Sequence, residues 1–175
     1  MDRKERLVQL LGQSDRPIRG TDLARQFGVT RQVIVKDIAV LRAQGFSIVA
    51  TPQGYFEQKK LAVGQKDAAI YRVLTIKHEP HETEQELTVL VDAGVTVLDV
   101  SVDHPIYGEF VANLMFRSRR DVQHFMHQIN EEQVPLLLTL TGGVHRHTLS
   151  CPDEKAMQEA IGTLRALGFE LLEDS

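Results

Sequence analysis

Cysteine is almost missing from this chain: Cys151 stands alone among 175 residues. An internal disulfide is therefore excluded, and a single thiol fits a reducing cytoplasm. Beside Pro152 it reads as an ordinary loop or core thiol rather than a nucleophile. Long apolar runs are missing too. Nothing approaches the roughly 18 consecutive apolar residues that a bilayer span needs, so no membrane association is expected. The opening MDRKERLVQLLG is mixed in charge where a secretory leader would carry an apolar stretch. Only 6 prolines interrupt the chain, and a composition of 42% hydrophobic and 25% charged residues is that of a folded protein, not a disordered one. Two chemistries lack their motifs: there is no Gly-rich loop to cradle phosphate and no general base at metalloprotease spacing.

What is present is unevenly distributed. Residues 1–60 carry 11 Lys+Arg against 6 Asp+Glu, and the remainder carries 9 against 18. A basic module followed by an acidic one implies two domains with different partners, the first suited to nucleic acid. Boundaries follow from composition: residues 1–58, a polar linker at 59–67 (KKLAVGQKD), and residues 68–175.

In the first module Leu7, Leu10 and Leu11 recur at helical spacing, and Gly12 is expected to end that helix. After the break SDRPIRG, Thr21 is the expected N-cap of a second helix with Leu23, Ala24 and Phe27 inward, and Gly28 permits a tight turn. Thr30 caps a third helix whose inner face is Ile34, Ile38 and Leu41. FSIVATPQGYF then alternates like a hairpin around Pro-Gln-Gly. Helix, helix-turn-helix and hairpin are the order of a winged helix-turn-helix. Its second paired helix presents polar side chains to the major groove, here Thr30, Arg31, Gln32 and Lys36. Gln53 and Tyr55 near the wing tip are placed to touch DNA as well. The stretch GTDLARQFGVTRQVIVKDIAVLRAQGFSIVATPQGYF closely resembles the winged domain of biotin-repressor-type bacterial regulators. A biotin ligase is excluded, because about 115 further residues without a nucleotide loop are too few.

The second module reads as strands AIYRVLTIKH, VTVLDVSVDHP and YGEFVANLMFRS, a strand–turn–strand over PLLLTLTGGVHRHTL, and a short final strand FELLED. Helices lie at ETEQELTVLVDAG, SRRDVQHFMHQINEE (capped by Ser118) and DEKAMQEAIGTLRALG (capped by Asp153). The fold class is α+β, an α/β sandwich with helices over one face of a sheet. All seven histidines fall here. Side chains at i and i+2 of a strand share a face, so His145 and His147 point one way and Arg146 the other. The pair is either a metal half-site or two solvated or hydrogen-bonded rings. His78 at a strand end and Glu86 on the next helix are candidates to complete a site. Three imidazoles and a carboxylate suit zinc, iron, nickel or manganese. His124 and His127, at i and i+3, read as plain helix surface, and His81 as solvent-facing. His104 precedes Pro105 and could be a satisfied loop histidine.

The motifs H-x7-E-L, VDHPIYGE and LLTLTGGVHRHTL resemble the 3H domain, a small bacterial ligand-binding module named for its histidines. Joined to the winged domain, the chain resembles the niacin-responsive transcriptional repressors of Gram-positive bacteria. That resemblance implies a metal site at His78, Glu86, His145 and His147, with one divalent metal per chain. It also implies nicotinate as co-repressor. His104 and Tyr107 are then hydrogen-bonding neighbours of the effector, and Gly142 and Gly143 allow its close approach to the backbone. The implied protein is a cytoplasmic homodimer on double-stranded operator DNA, regulating niacin or NAD genes, and not an enzyme. Two other readings stay open: a metal-dependent hydrolase fused to a DNA-binding module, and a regulator that senses metal alone.

Overall fold

Apolar spacing and capping build three helices at the N-terminus of the computed structural model, which describes residues 1–58 and 70–172. Helix α1 (Arg3–Gln13) opens with a capping box. The Glu5 amide donates to Asp2 Oδ1 at 2.9 Å, and the Asp2 amide donates to Glu5 Oε2 at 3.1 Å. Gly12 does not end this helix but lies inside it, and the chain leaves helical geometry at Ser14. Helix α2 (Gly20–Phe27) starts one residue before the expected cap. Arg19 occupies the N-cap position with no side-chain bond, so Thr21 is not the cap. Gly28, at φ 65°, closes α2 in the left-handed region that glycine adopts without steric cost. Thr30 caps α3 (Arg31–Ala43) by accepting from the Val33 amide at 3.3 Å. Strands β1 (Ile48–Thr51) and β2 (Gly54–Glu57) pair antiparallel. Leu7, Leu11, Leu23, Ile34, Ile38, Leu41 and Ile48 form the core beneath them.

The hairpin is short and held down. Ile18 and Tyr55 exchange backbone hydrogen bonds at 2.9 and 2.8 Å, adding a bridge beside β2. Gly54 has φ 129°, and a Cβ there would stand 2.4 Å from the Ile18 carbonyl. Glycine is required because two backbones meet.

Residues Asp67–Ser175 form the second compact unit, and Met1–Lys66 the first. The expected linker, 59–67, lies outside the described residues. The second unit is a five-stranded antiparallel sheet. Its strands are β3 (Ile70–Lys77), β4 (Thr96–His104), β5 (Gly108–Phe116), β6 (Val144–Cys151) and β7 (Glu170–Leu172), in the order β5-β4-β6-β3-β7. Helices α4 (Thr83–Asp92), α5 (Arg119–Glu132) and α6 (Glu154–Ala166) share one core with the sheet. Leu87, Leu90, Val122, Met157 and Leu164 meet Leu74, Ile76, Val97, Phe116 and Leu149 there. The architecture is the expected α+β sandwich.

One expected strand is absent. Leu137–Thr141 forms a 3-10 turn instead, and only Val144–Cys151 is extended. Apolar residues in unbroken succession define no sheet face, and the threonines bind carbonyls locally. Thr139 Oγ1 donates to the Leu136 carbonyl at 2.7 Å, and Thr141 Oγ1 to that of Val144 at 2.6 Å. Leu138 is buried and Leu140 is exposed.

Candidate metal centre and DNA-facing surface

The alternation of β6 decides where its histidines go. Burial alternates along Val144–Cys151, so His145 and His147 join Leu149 and Cys151 on the inner face. His78 arrives just past the end of β3, the strand paired with β6, where Ile76 lies opposite His145. Glu86 comes from the first turn of α4 and is fully buried. His78 Nε2 lies 2.5 Å from Glu86 Oε2 and His147 Nε2 lies 2.8 Å from Glu86 Oε1. His145 Nε2 is 3.3 and 3.4 Å from the two carboxylate oxygens. The ligand atoms of His78, Glu86 and His145 all lie within 4.8 Å of one another. His147 joins them through Glu86, although its Nε2 is not aligned for a hydrogen bond and remains buried without one.

The outer nitrogens explain this orientation. Nδ1 of His78 lies 2.7 Å from the Glu79 carbonyl, that of His145 2.9 Å from Gly143, and that of His147 2.9 Å from Asp99. A carbonyl only accepts, so each Nδ1 carries the proton and donates it. Each neutral ring therefore directs a bare Nε2 lone pair at a carboxylate, which is also an acceptor. Four acceptors converging in a buried site need positive charge among them, from protons or from a cation. The pKa directions show the proton alternative. Burial alone would lower His78 and His147, yet Glu86 outweighs it, by hydrogen bond and charge at His78 and by its charge at His147, and holds both above the ordinary histidine value. Burial alone would raise Glu86, and the three rings hold it well below the usual carboxylate range. A divalent cation answers the same demand, and three imidazoles with one carboxylate form a donor set that zinc, nickel, iron or manganese accepts.

Gly143 serves this centre by a route that its ligand-approach role did not anticipate. At φ 98° its Cβ position is filled by the His78 carbonyl, 2.5 Å away, so glycine lets the backbones of the two ligand segments meet. Gly142, at φ 62°, has open space beside it. His104 Nδ1 accepts from the Ile106 and Tyr107 amides, both at 3.1 Å, and its ring lies 5.0 Å from that of Tyr107. His104 is thus satisfied within its own turn, with Tyr107 exposed beside it. His127 is exposed, 3.9 Å from Glu131. His124 departs from plain helix surface: it is half-buried, and its Nε2 is enclosed without a partner. Asp99, which holds His147 through its carbonyl, was not foreseen. Only strand register reveals it.

On the first unit Arg31, Gln32 and Lys36 are exposed along α3 beyond the exposed cap Thr30. Gln53 sits half-buried in the two-residue turn, its amide donating to Thr51 Oγ1 at 3.1 Å. Tyr55 lies on β2, one residue past the Gly54 that closes this turn. Its half-buried ring packs on the core and, with Arg31, flanks Gly20. Asp37 is a further residue that periodicity missed. It is buried on α3 and accepts from Arg3 Nε at 2.6 Å and Nη2 at 3.2 Å, tying α3 to α1.

Residues 3–56 match an HTH domain family and residues 71–173 the 3H domain family. The chain is 40% identical over 168 residues to the Transcription repressor NadR of Bacillus subtilis, covering 96% of this chain and 92% of that protein. It is also 40% identical over 168 residues to the Probable transcription repressor NiaR of Thermotoga maritima, covering 96% and 93%. With helix-turn-helix and 3H domains in this order and near full-length similarity to both, the chain belongs to the family of 3H-domain transcription repressors.

Proposed function

We propose that the chain is a repressor of niacin or NAD metabolism or uptake genes, with nicotinate as co-repressor and one divalent transition metal per chain. It acts in the cytoplasm as a homodimer on double-stranded operator DNA, since one winged helix reads too few base pairs for genomic specificity. The observation that carries the reading is the convergence of three histidine Nε2 atoms on buried Glu86. His78, Glu86, His145 and His147 hold the metal, and Glu79, Gly143 and Asp99 hold the rings in the ligating tautomer. The metal supplies fixed positive charge where protons would otherwise be needed. Arg31, Gln32 and Lys36 face the operator. Among the described residues no other histidine or carboxylate joins the cluster, and the curated relatives bear repressor names. Both observations weigh against a hydrolase. The depth of the cluster favours one second reading, a regulator that answers to metal alone.

The test is selection of duplex DNA from a random library by the zinc-loaded protein, followed by binding to the selected site with and without nicotinate. The proposal expects a pseudo-palindromic site bound by a dimer and tightened by nicotinate. A site bound equally with or without nicotinate, but only with metal, would replace it with pure metal sensing.

A further inference from the structure

Val35 is an apolar side chain on α3 that is 41% exposed. Arg31 and Gln32 lie one turn before it, Lys36 beside it and Ala39 one turn after it, all exposed. At about 100° per residue these five share the side of α3 turned away from buried Ile34, Ile38 and Leu41. Asp37 is the one acid in this helix, and it is buried against Arg3. The exposed surface of α3 therefore carries Arg31, Lys36 and Arg42 with no carboxylate among them. A second copy of so cationic a face would repel it, whereas a polyanion suits it. Val40, 40% exposed, lies about 140° round the helix from Val35 and closer to its C-terminal end. Base edges are contacted by the N-terminal part of a recognition helix, where Val35 sits and Val40 does not.

We propose that Val35 reads the 5-methyl group of a thymine in the major groove of the operator. This goes beyond the reading of α3 as the operator-facing helix and rests on it. A cation at this position would attract phosphate on any sequence. Valine gains only where an apolar group meets it, and among the four bases thymine alone carries a methyl on its major-groove edge. The β-branched side chain holds one strongly preferred χ1 rotamer in a helix, so its methyls are already placed. Gln32, three residues earlier and about 4.5 Å back along the axis, has the amide that matches adenine N6 and N7. That separation is close to the rise of about 3.4 Å between base pairs, so the two side chains read neighbouring A·T pairs.

Fluorescence anisotropy on the zinc-loaded full chain, at one fixed low salt concentration, tests this with the selected operator. Each thymine is replaced in turn by deoxyuridine, which pairs alike and lacks only the methyl. At the thymine read by Val35 the parent should bind about fourfold more weakly, the worth of one buried methyl group. Val35→Ser should bind the thymine and deoxyuridine sites equally. Serine and valine have similar helix propensities, so its melting temperature should stay that of the parent. Val35→Thr keeps a methyl and should keep the preference, and Val40→Ser should keep it in full. If no thymine is sensitive in the parent, or if Val35→Ser keeps the parent's ratio, the proposal is overturned. If in addition Gln32→Ala still relaxes operator preference, α3 reads the DNA without Val35 and the proposal falls alone. If Arg31→Ala, Gln32→Ala and Val35→Ser all bind like the parent, the reading of α3 falls with it. Loss of the dimer in Val35→Ser, with no thymine sensitive, would make the patch a contact between copies and overturn the proposal. Should Val35→Ser not fold, Val35→Ala, a better helix former, decides: a smaller ratio supports the proposal, and an unchanged one overturns it.

Discussion

His147 donates from Nδ1 to the main-chain carbonyl of Asp99 at 2.9 Å, while the Asp99 carboxylate accepts from the Thr148 amide at 3.0 Å. The bond is possible because β4 is irregular there. Its register against β6 shifts between Val97 and Ser101, and against β5 between Val97 and Asp99. The irregularity breaks the ladder, and the Asp99 side chain takes over the amide beside His147. Asp99→Ala keeps that carbonyl but should cost about 1–3 kcal/mol by stranding the Thr148 amide, and by loosening the segment that presents the carbonyl to His147 it should weaken metal binding by about tenfold, the low end of what outer-shell changes do. Asp99→Asn keeps an acceptor and should recover most of both. Chemical denaturation and a zinc competition assay measure the two effects; equal metal affinity in all three proteins would show that the Asp99 side chain does not help place the carbonyl that holds His147.

His78→Ala, His145→Ala and His147→Ala should each abolish stoichiometric binding of a divalent metal, as should Glu86→Gln. His127→Ala should not, since that ring is exposed on α5. Elemental analysis of the purified variants is the measurement. Retention of one metal per chain in His145→Ala would move the site elsewhere.

Much of this centre is legible in the sequence, because the i, i+2 spacing of His145 and His147 needs only a strand to put both rings on one side. The turns at Gly28 and the cap at Thr30 are local chemistry and equally legible. What escaped depends on tertiary register. Asp99 is an ordinary strand aspartate until the shift in β4 brings it to His147. Asp37 looks like a solvated helix residue until Arg3 arrives from α1. Tyr55 looks like a wing residue until the bridge to Ile18 draws it inward. The stretch at Leu137–Thr141 misled because apolar content alone does not distinguish a strand from a buried turn.

The pH dependence has opposite signs with and without metal. In the metal-free protein His78 and His147 are raised above 6.5. Their contribution to stability is complete below 6.5 and lost as pH rises through the folded values. Glu86 is lowered below 4.5, so its contribution is complete above 4.5 and lost in acid. Metal-free protein should thus be most stable between those values and weaken toward alkaline pH. Metal affinity should rise over the same span, because imidazoles coordinate only when neutral. Thermal melts across pH, with zinc and with chelator, read both trends. Metal-free stability that climbs steadily past neutrality would contradict the assignment.

On the DNA side, Gln32→Ala and Arg31→Ala should each cost about 1–3 kcal/mol at the selected operator, with relaxed preference at the base each reads. Tyr55→Ala should act on folding instead, because the ring is packed on the core. Gly54→Ala should destabilise the first domain by more than about 2 kcal/mol, combining a positive φ with a collision against the Ile18 carbonyl. Fluorescence anisotropy and thermal melts separate the two groups. Normal operator binding by both α3 variants would mean that another surface reads the DNA.

The central claim is that the histidine cluster, loaded with metal, supports the response to nicotinate. Titrating nicotinate calorimetrically into zinc-loaded and metal-stripped protein measures it directly. The account predicts saturable binding to the loaded protein and a loss of about tenfold or more on stripping, restored by adding zinc back. Equal nicotinate affinity in the two preparations would contradict it.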